Sequence, residues 1–500
     1  MVNTDLHIRD FLYQNRMLTK TAIIYKEDRI CYQELYRKAY NLGKVLKEQQ
    51  IDKVILYLPN SVEYLVGYFG TLFADKIVYP ISIKSKEDEI KSSLDSTECK
   101  CILTVSRYVE MLMEIIQNNQ VEVVAIDQIK LDEEAESAYW NQDLDEAETC
   151  LLLNTSGSTS QHKIVMLSNK GVCINCRDWT EIALHPEKEG RILVSMPVGT
   201  SFGSVVISSC IMLGWTIIFM PDFFNIPDLL RTIEEEKVTH LISIGSALNI
   251  LAMNVKRLSK SKYNVDSIEF IGIGGNKAVL ATLETLGTYF KNAGMSPGYG
   301  LTEATCMVST ISPDLYHNNK EMYKKKIDSA GKAYRNCFIS IYIEGRYVTE
   351  ANVEGEIVIS GPTIMNGYYK NIEATNAVLK EGYLHTGDMG YLDEDGYLYI
   401  IGRTKNLIKS GGYSVFPEEV EAVLLNSGLV REVVVYCEKD MLLDELVVAD
   451  VIPEDKNIEE QTLLDYCYHH LSEYKVPKKI RFVTEIATTK NGKIKRGSYV

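Results

Sequence analysis

Apolar and polar positions along the first 130 residues follow two rhythms. Positions 32–49 repeat apolar side chains at helical spacing, and 61–73 do the same after Leu58-Pro59-Asn60. Around them stand short apolar runs at 54–58 (VILYL), 77–81 (IVYPI), 101–105 and 121–126, with the length and bounding residues of buried strands. Helices alternating with buried strands predict βαβ units around a mostly parallel sheet. An acidic stretch at 131–148 reads as a solvated connector. The alternation then resumes, and a strand at 268–273 runs into glycines. From about Ile339 the rhythm changes: 340–347, 355–360 and 397–401 are strand-like and separated by turn residues, which predicts a small β-rich subdomain over about 335–402. Beyond it the pattern is mixed again, with helices at 418–426 and 460–473 and strands at 432–436 and 446–452. The predicted fold class is α/β, with a large N-terminal part (1–402) and a small C-terminal part (403–500) joined at Arg403-Thr404-Lys405.

A chain of 500 residues exceeds what one compact core organises. The net charge of −15 argues against a general nucleic-acid or anionic-membrane binder, because no basic surplus exists to neutralise phosphates. An anionic small ligand stays open, since a few lysines, N–H groups and a metal suffice for one. The 11 cysteines, an odd number scattered through a long chain, suit reduced cytoplasmic thiols. Asp5, Arg9 and Asp10 interrupt any apolar signal-peptide core. The uncharged stretch 192–221 is broken by Pro197, Gly199, Gly203 and Gly214, so it reads as buried strand–helix–strand rather than a membrane span.

Thr155-Ser156-Gly157-Ser158-Thr159-Ser160-Gln161-His162-Lys163 follows an apolar strand. Its hydroxyls, glycine and terminal lysine would make good phosphate ligands, and equally a polar surface loop. A Walker A loop is disfavoured: His162 stands where that motif needs its second glycine, and Ile164 where it needs Ser or Thr. Tyr299-Gly300-Leu301-Thr302-Glu303 places an aromatic face, a hydroxyl and a carboxylate on one short turn, a set able to stack a purine, touch a phosphate and bind Mg²⁺. His385-Thr386-Gly387-Asp388 reads as another polar turn, with an acid suited to ribose hydroxyls. Asn491-Gly492-Lys493-Ile494-Lys495-Arg496 is a basic turn or a solvated tail. Cys173 and Cys176, a lone C-x-x-C on a helix, and the exposed pair His469-His470 read as structural rather than metal-binding.

Taken in this order, these segments resemble the adenylate-forming superfamily of acyl- and aryl-CoA synthetases, adenylation enzymes of peptide synthetases, and luciferase. Tyr32-Gln33-Glu34-Leu35, Leu58-Pro59-Asn60-Ser61, Gly355-Glu356-Ile357, Gly361-Pro362 and Gly367-Tyr368 match further markers of that family. The resemblance implies stacked α/β subdomains and a small, mobile α+β C-terminal domain. It implies that a carboxylic acid and ATP form an acyl-AMP with release of pyrophosphate, after which CoA or a carrier protein's phosphopantetheine takes the acyl group as a thioester. By the same resemblance, Thr155, Ser156, Gly157, Ser158, Thr159 and Lys163 embrace the phosphates. Gly274, Gly275, Asn276 and Gly300 line the nucleotide, and Tyr299 stacks on adenine. Thr302 touches the α-phosphate, Glu303 holds Mg²⁺, Asp388 binds the ribose with Arg403 nearby, and Lys493 bridges the two substrates. Lys405 is the hinge, and Lys409, Gly411, Gly412 and Tyr413 form the face that meets the thiol.

Ser160, His162 and Ile164 depart from the family's Gly, Pro and Gly, which implies a stiffer or differently shaped loop. The acyl pocket is expected around Thr200, Phe202, Gly203 and Gly298. Amino-acid activators carry an Asp near Gly203 that is missing here, so an α-amino acid is disfavoured and an aryl or fatty acid favoured. Small Gly203, Gly274, Gly298 and Gly300 are expected to leave room for it. The competing function is a catalytically reduced protein that binds nucleotide or acyl-adenylate.

Overall fold

The computed structural model describes residues 7–500 apart from 117–119, 132–144, 146, 156–162, 185–187, 221–224, 258–262, 276–279, 411–412, 441–443, 456, 489–493, 495, 497–498 and 500. Two large sheets organise the first 333 residues. In the nine-stranded sheet, six strands run parallel in the order Gly294–Tyr299, Phe270–Gly274, His240–Ile244, Arg191–Val194, Thr216–Phe219 and Thr21–Tyr25. Short antiparallel strands close both edges. In the seven-stranded sheet, Lys53–Leu56, Ile77–Pro80, Cys101–Thr104, Glu122–Ala125 and Thr149–Asn154 are parallel, and Ile164–Ser168 and Gly367–Tyr368 finish it antiparallel.

The strands are apolar on both faces because helices cover both. Val194 and Ile217 from one sheet share a single core with Leu56 and Val78 from the other. Between them stand Tyr32 and Leu35, Phe69, Cys176 and Val205, from four different helices. The second face of the nine-stranded sheet is covered by Ile226–Glu235, Gly245–Arg257 and Leu280–Tyr289. The uncharged stretch is, as expected, core: strand Arg191–Val194, helix Ser201–Leu213 and strand Thr216–Phe219, all largely buried. Among the described residues no helix is long and apolar enough to cross a membrane. Cys173 and Cys176 point into the core from Asn169–Trp179, and burial pushes the Cys176 thiol up to about 12. No cluster of three metal-binding side chains occurs among the described residues.

An antiparallel sheet follows, built from Phe338–Ile343, Arg346–Val348, Gly355–Ser360, Tyr383–Leu392 and Leu398–Arg403, with Leu379–Lys380 at its edge. Two expectations are corrected here. The run 340–347 is not one strand but a hairpin, because Glu344 and Gly345 both take positive φ (48° and 79°) and turn the chain. His385-Thr386-Gly387-Asp388 is not a turn. It lies inside the ten-residue strand Tyr383–Leu392, where the register slips opposite Ile357 and Gly387 adopts φ +71°. A bulge of this kind re-aims the next side chain, here Asp388.

The last hundred residues form a five-stranded sheet around Val430–Asp440 and Asp444–Pro453, with helices Pro417–Asn426 and Glu460–His470 packed on it. Ile408, Val420, Val435, Ala449 and Leu463 belong to a core of their own. The 131–148 connector falls mostly outside the described residues.

Candidate functional site

The site grows from the carboxyl ends of the parallel strands, the usual place for a ligand crevice in an open α/β sheet. Tyr299 ends the strand Gly294–Tyr299, and its hydroxyl donates to Asp388 Oδ2 (2.6 Å). Arg403 faces Asp388 across the ladder of the antiparallel sheet, and its Nε donates to Oδ1 (2.8 Å). Burial first, then the Asp388 charge, push the Tyr299 phenol up, so it stays a donor. Asp388 is 3% exposed. Among the described residues each of its oxygens holds one donor, which leaves a lone pair for a hydroxyl. Glu356 steadies the bulge beneath it by accepting from the Gly387 N–H (3.0 Å) and pairing with His385 Nδ1 (2.8 Å).

One turn further on, Thr302–Ala304 forms a short 3₁₀ segment. The Thr302 hydroxyl meets that of Ser201 (3.2 Å), at the start of Ser201–Leu213. Glu303 Oε1 accepts from the Tyr368 hydroxyl (2.9 Å), and Lys163 Nζ stands 4.8 Å from the Tyr368 ring centroid. A single carboxylate suits Mg²⁺ that arrives with a nucleotide, since phosphates and water supply the other oxygens. The Thr155 N–H donates to the Lys163 carbonyl (3.0 Å) and so joins the two ends of the 155–163 segment. Ser156, Gly157, Ser158, Thr159, Ser160 and His162 lie outside the described residues. Ile164 has a structural reason to depart from glycine: it opens the strand Ile164–Ser168, and its side chain is buried in the core around Ile55, Tyr79 and Leu152.

The acyl-pocket residues separate into two kinds. The Phe202 ring lies against Gly274, where an added Cβ would come within 3.0 Å of it. Thr200 caps its helix by accepting from the Gly203 N–H (3.1 Å). The space expected beside Gly203, Gly298 and Gly300 is, however, filled by backbone. A Cβ on Gly203 would meet the Pro197 carbonyl at 2.6 Å, one on Gly298 the Ser309 carbonyl at 2.8 Å, and one on Gly300 would overlap the Cys306 carbonyl. At these three positions a side chain would meet crossing backbone, so the chain path itself requires glycine. Gly300→Ala should therefore lower stability by about 3 kcal/mol, read from urea unfolding. An unchanged midpoint would show that the 301–307 turn yields. Gly275 has φ +83°, and Asn276 lies outside the described residues.

In the C-terminal part, Lys405 is exposed. The surrounding protein, and then the Arg403 charge, lower its pKa. Lys409 is exposed on Ile408–Ser410, and its N–H donates to Glu445 Oε2 (2.6 Å). Gly411, Gly412, the Tyr413 side chain and Lys493 lie outside the described residues. The basic tail is not wholly solvated, because Arg496 donates to the Val435 carbonyl (2.7 Å) and to Glu421 Oε2 (2.6 Å). Glu418, one turn earlier on the same helix, accepts from Asn406 (2.6 Å), so that helix carries acids for both the joint and the chain end. Sequence reasoning missed the roles of Tyr368, Glu356 and Arg496. Their only signal was membership in motifs already singled out.

Residues 13–369 match the family of AMP-binding enzymes, and 419–493 match the C-terminal domain of AMP-binding enzymes. The chain is 28% identical over 492 residues to the 2-succinylbenzoate–CoA ligase of Bacillus cytotoxicus, covering 97% of each protein. The o-succinylbenzoate CoA synthetase of Bacillus subtilis, solved with its acyl-adenylate intermediate OSB-AMP, superposes with a TM-score of 0.84 at 25% identity, over 98% of this chain and 97% of that one. ATP-bound MatB from Rhodopseudomonas palustris shares the fold, with a TM-score of 0.87 at 23% identity over 99% and 98% of the two chains.

Proposed function

Because this chain belongs to the family of AMP-binding enzymes, we propose that it is an ATP-dependent acid–CoA ligase acting on an aryl carboxylic acid of the 2-succinylbenzoate kind. The supporting observation is that the short segment 299–303 joins two contacts, Tyr299 with Asp388 at one end and Glu303 with Tyr368, whose ring lies under Lys163, at the other, in a chain that aligns along 97% of its length with such ligases. The relatives' acceptor supports CoA over a carrier protein. The 11 free cysteines suit a reducing cytoplasm.

A carboxylate is a poor electrophile, and transfer to the α-phosphate of ATP gives it an AMP leaving group. The protein's task is to position two anions and offset the charge that develops between them. Bound Mg²⁺ would neutralise phosphate charge in that step. Lys163 and Thr155 lie at the two ends of the phosphate loop. Tyr299 presents its face to adenine, while Asp388, held by Tyr299 and Arg403, accepts from the ribose hydroxyls. Thr302 reaches the α-phosphate, Glu303 holds the metal, and Lys493 spans carboxylate and phosphate. Residues 403–500 then turn about Lys405, withdraw Lys493 and bring the face of Lys409, Gly411, Gly412 and Tyr413 to the CoA thiol.

The test is pyrophosphate release over a panel of aryl, short-chain and medium-chain acids, repeated with CoA and with a phosphopantetheinylated carrier protein. Release with 2-succinylbenzoate or a related aryl acid, and a CoA thioester as product, is expected. Transfer to the carrier alone would overturn the choice of acceptor. Binding of ATP without release for any acid would instead indicate a nucleotide-binding protein.

A further inference from the structure

Tyr368 stands where two distant parts of the chain meet. Its backbone runs antiparallel to Ile164–Ser168, with Tyr368 opposite Val165, and the N–H groups of Asn366 and Tyr369 donate to the carbonyls of Met166 and Ile164 (2.8 and 2.7 Å). That strand begins immediately after Lys163. On the other side, the Met365 N–H donates to the Glu303 carbonyl (2.9 Å), and the Thr305 hydroxyl to the Thr363 carbonyl (2.5 Å). The segment 363–369 therefore laces the end of the phosphate loop to the Glu303 turn, although Lys163 and Glu303 are far apart in sequence.

The side chain repeats that connection. The hydroxyl donates to Glu303 Oε1, and the ring face lies under Lys163 Nζ. Tyr368 is 5% exposed, and its N–H is fixed by Thr375 Oγ1 (2.9 Å), which itself donates to the Asn371 carbonyl (2.8 Å). The phenol is thus held by backbone on both sides. Among the described residues Glu303 Oε2 takes no hydrogen bond, which leaves that oxygen for a cation. A residue that merely filled the core would need only the ring.

We propose that Tyr368 is the positioning residue that couples metal and phosphate recognition, its hydroxyl orienting the Glu303 carboxylate toward a magnesium–nucleoside triphosphate and its ring holding the Lys163 ammonium. This rests on the roles given above to Glu303 and Lys163.

Calorimetric titration with ATP in the absence of any acid substrate, once in excess Mg²⁺ and once in EDTA, separates the two effects. Tyr368→Phe keeps the ring and loses the donor, so it should weaken binding of magnesium–ATP by about tenfold and leave metal-free ATP unchanged, as loss of a hydrogen bond to a charged acceptor implies. Tyr368→Leu should in addition weaken metal-free ATP by about threefold, because the ammonium loses its ring. Glu303→Gln should lose magnesium–ATP affinity at least as strongly as Tyr368→Phe. Should Tyr368→Leu fail to fold, the two Tyr368→Phe titrations decide alone. A Tyr368→Phe protein that binds like wild type while Glu303→Gln is weakened, or that loses affinity equally with and without Mg²⁺, overturns the proposal. Wild-type magnesium–ATP binding by Glu303→Gln would refute the reading of Glu303 itself, and this inference with it.

Discussion

Replacing Lys493 by alanine should lower the rate of acyl-adenylate formation by about 10²–10³-fold, the usual cost of removing one preorganised charge from a transition state. The reaction brings a carboxylate against a polyanionic nucleotide, so negative charge crowds between them just as the new bond forms. A lysine spanning both groups, the role proposed for Lys493, would offset that charge more than mobile solvent does. The same variant should make thioester at close to the wild-type rate from a supplied acyl-AMP and CoA, because the proposed turn of residues 403–500 would take the lysine away from the bond being broken. Pyrophosphate release reads the first half-reaction, and thioester formation from synthetic acyl-AMP reads the second. Equal loss in both would sink the role given to Lys493 and, with it, the turn about Lys405.

Asp388→Ala is expected to cost about 10²-fold in kcat/KM for ATP, mostly through KM. Two effects add. The proposed acceptor for the ribose is lost, and the half-buried Tyr299 hydroxyl loses the partner 2.6 Å away, while the exposed Arg403 Nε, now 2.8 Å from the carboxylate, can turn to solvent. Tyr299 would then be free to rotate away from the position proposed to meet adenine. Asp388→Asn keeps the shape but offers one acceptor instead of two, so it should fall between wild type and alanine. ATP titration checks this, with a melting curve beside it. If melting falls while ATP affinity holds, Asp388 serves only the ladder between Tyr383–Leu392 and Leu398–Arg403.

The secondary structure was largely legible. Helix Tyr32–Lys47, with Ser61 as the cap of Val62–Phe73 and the strands Lys53–Leu56, Ile77–Pro80 and Gly355–Ser360, lies within a few residues of its expected place. Hydrophobic period is a local property, and both faces of these strands are buried. The misreadings fell where polar and special residues cluster. Thr386-Gly387-Asp388 looks like a turn by composition, yet pairing with Gly355–Ser360 draws it into a strand and confines the irregularity to a bulge. Glu344-Gly345 turns the chain inside what composition reads as one strand.

For the site, the chain by itself determined the chemical inventory: a hydroxyl-rich loop ending in Lys163, an aromatic–hydroxyl–acid turn from Tyr299 to Glu303, an acid at 388 and cations at 403 and 405. Residue types in order along the chain carry that information. The tertiary structure decided which groups touch. Tyr299 finds Asp388 89 positions away, Glu303 finds Tyr368 65 positions away, and Arg496 finds Glu421 75 positions away. It also decided that Gly203, Gly298 and Gly300 must be small because crossing backbone passes where a side chain would stand. A glycine looks the same in sequence whether the missing side chain leaves a cavity or admits a carbonyl. Only the strands and turns folded against it determine which, because contact depends on distance in space and sequence records distance along the chain.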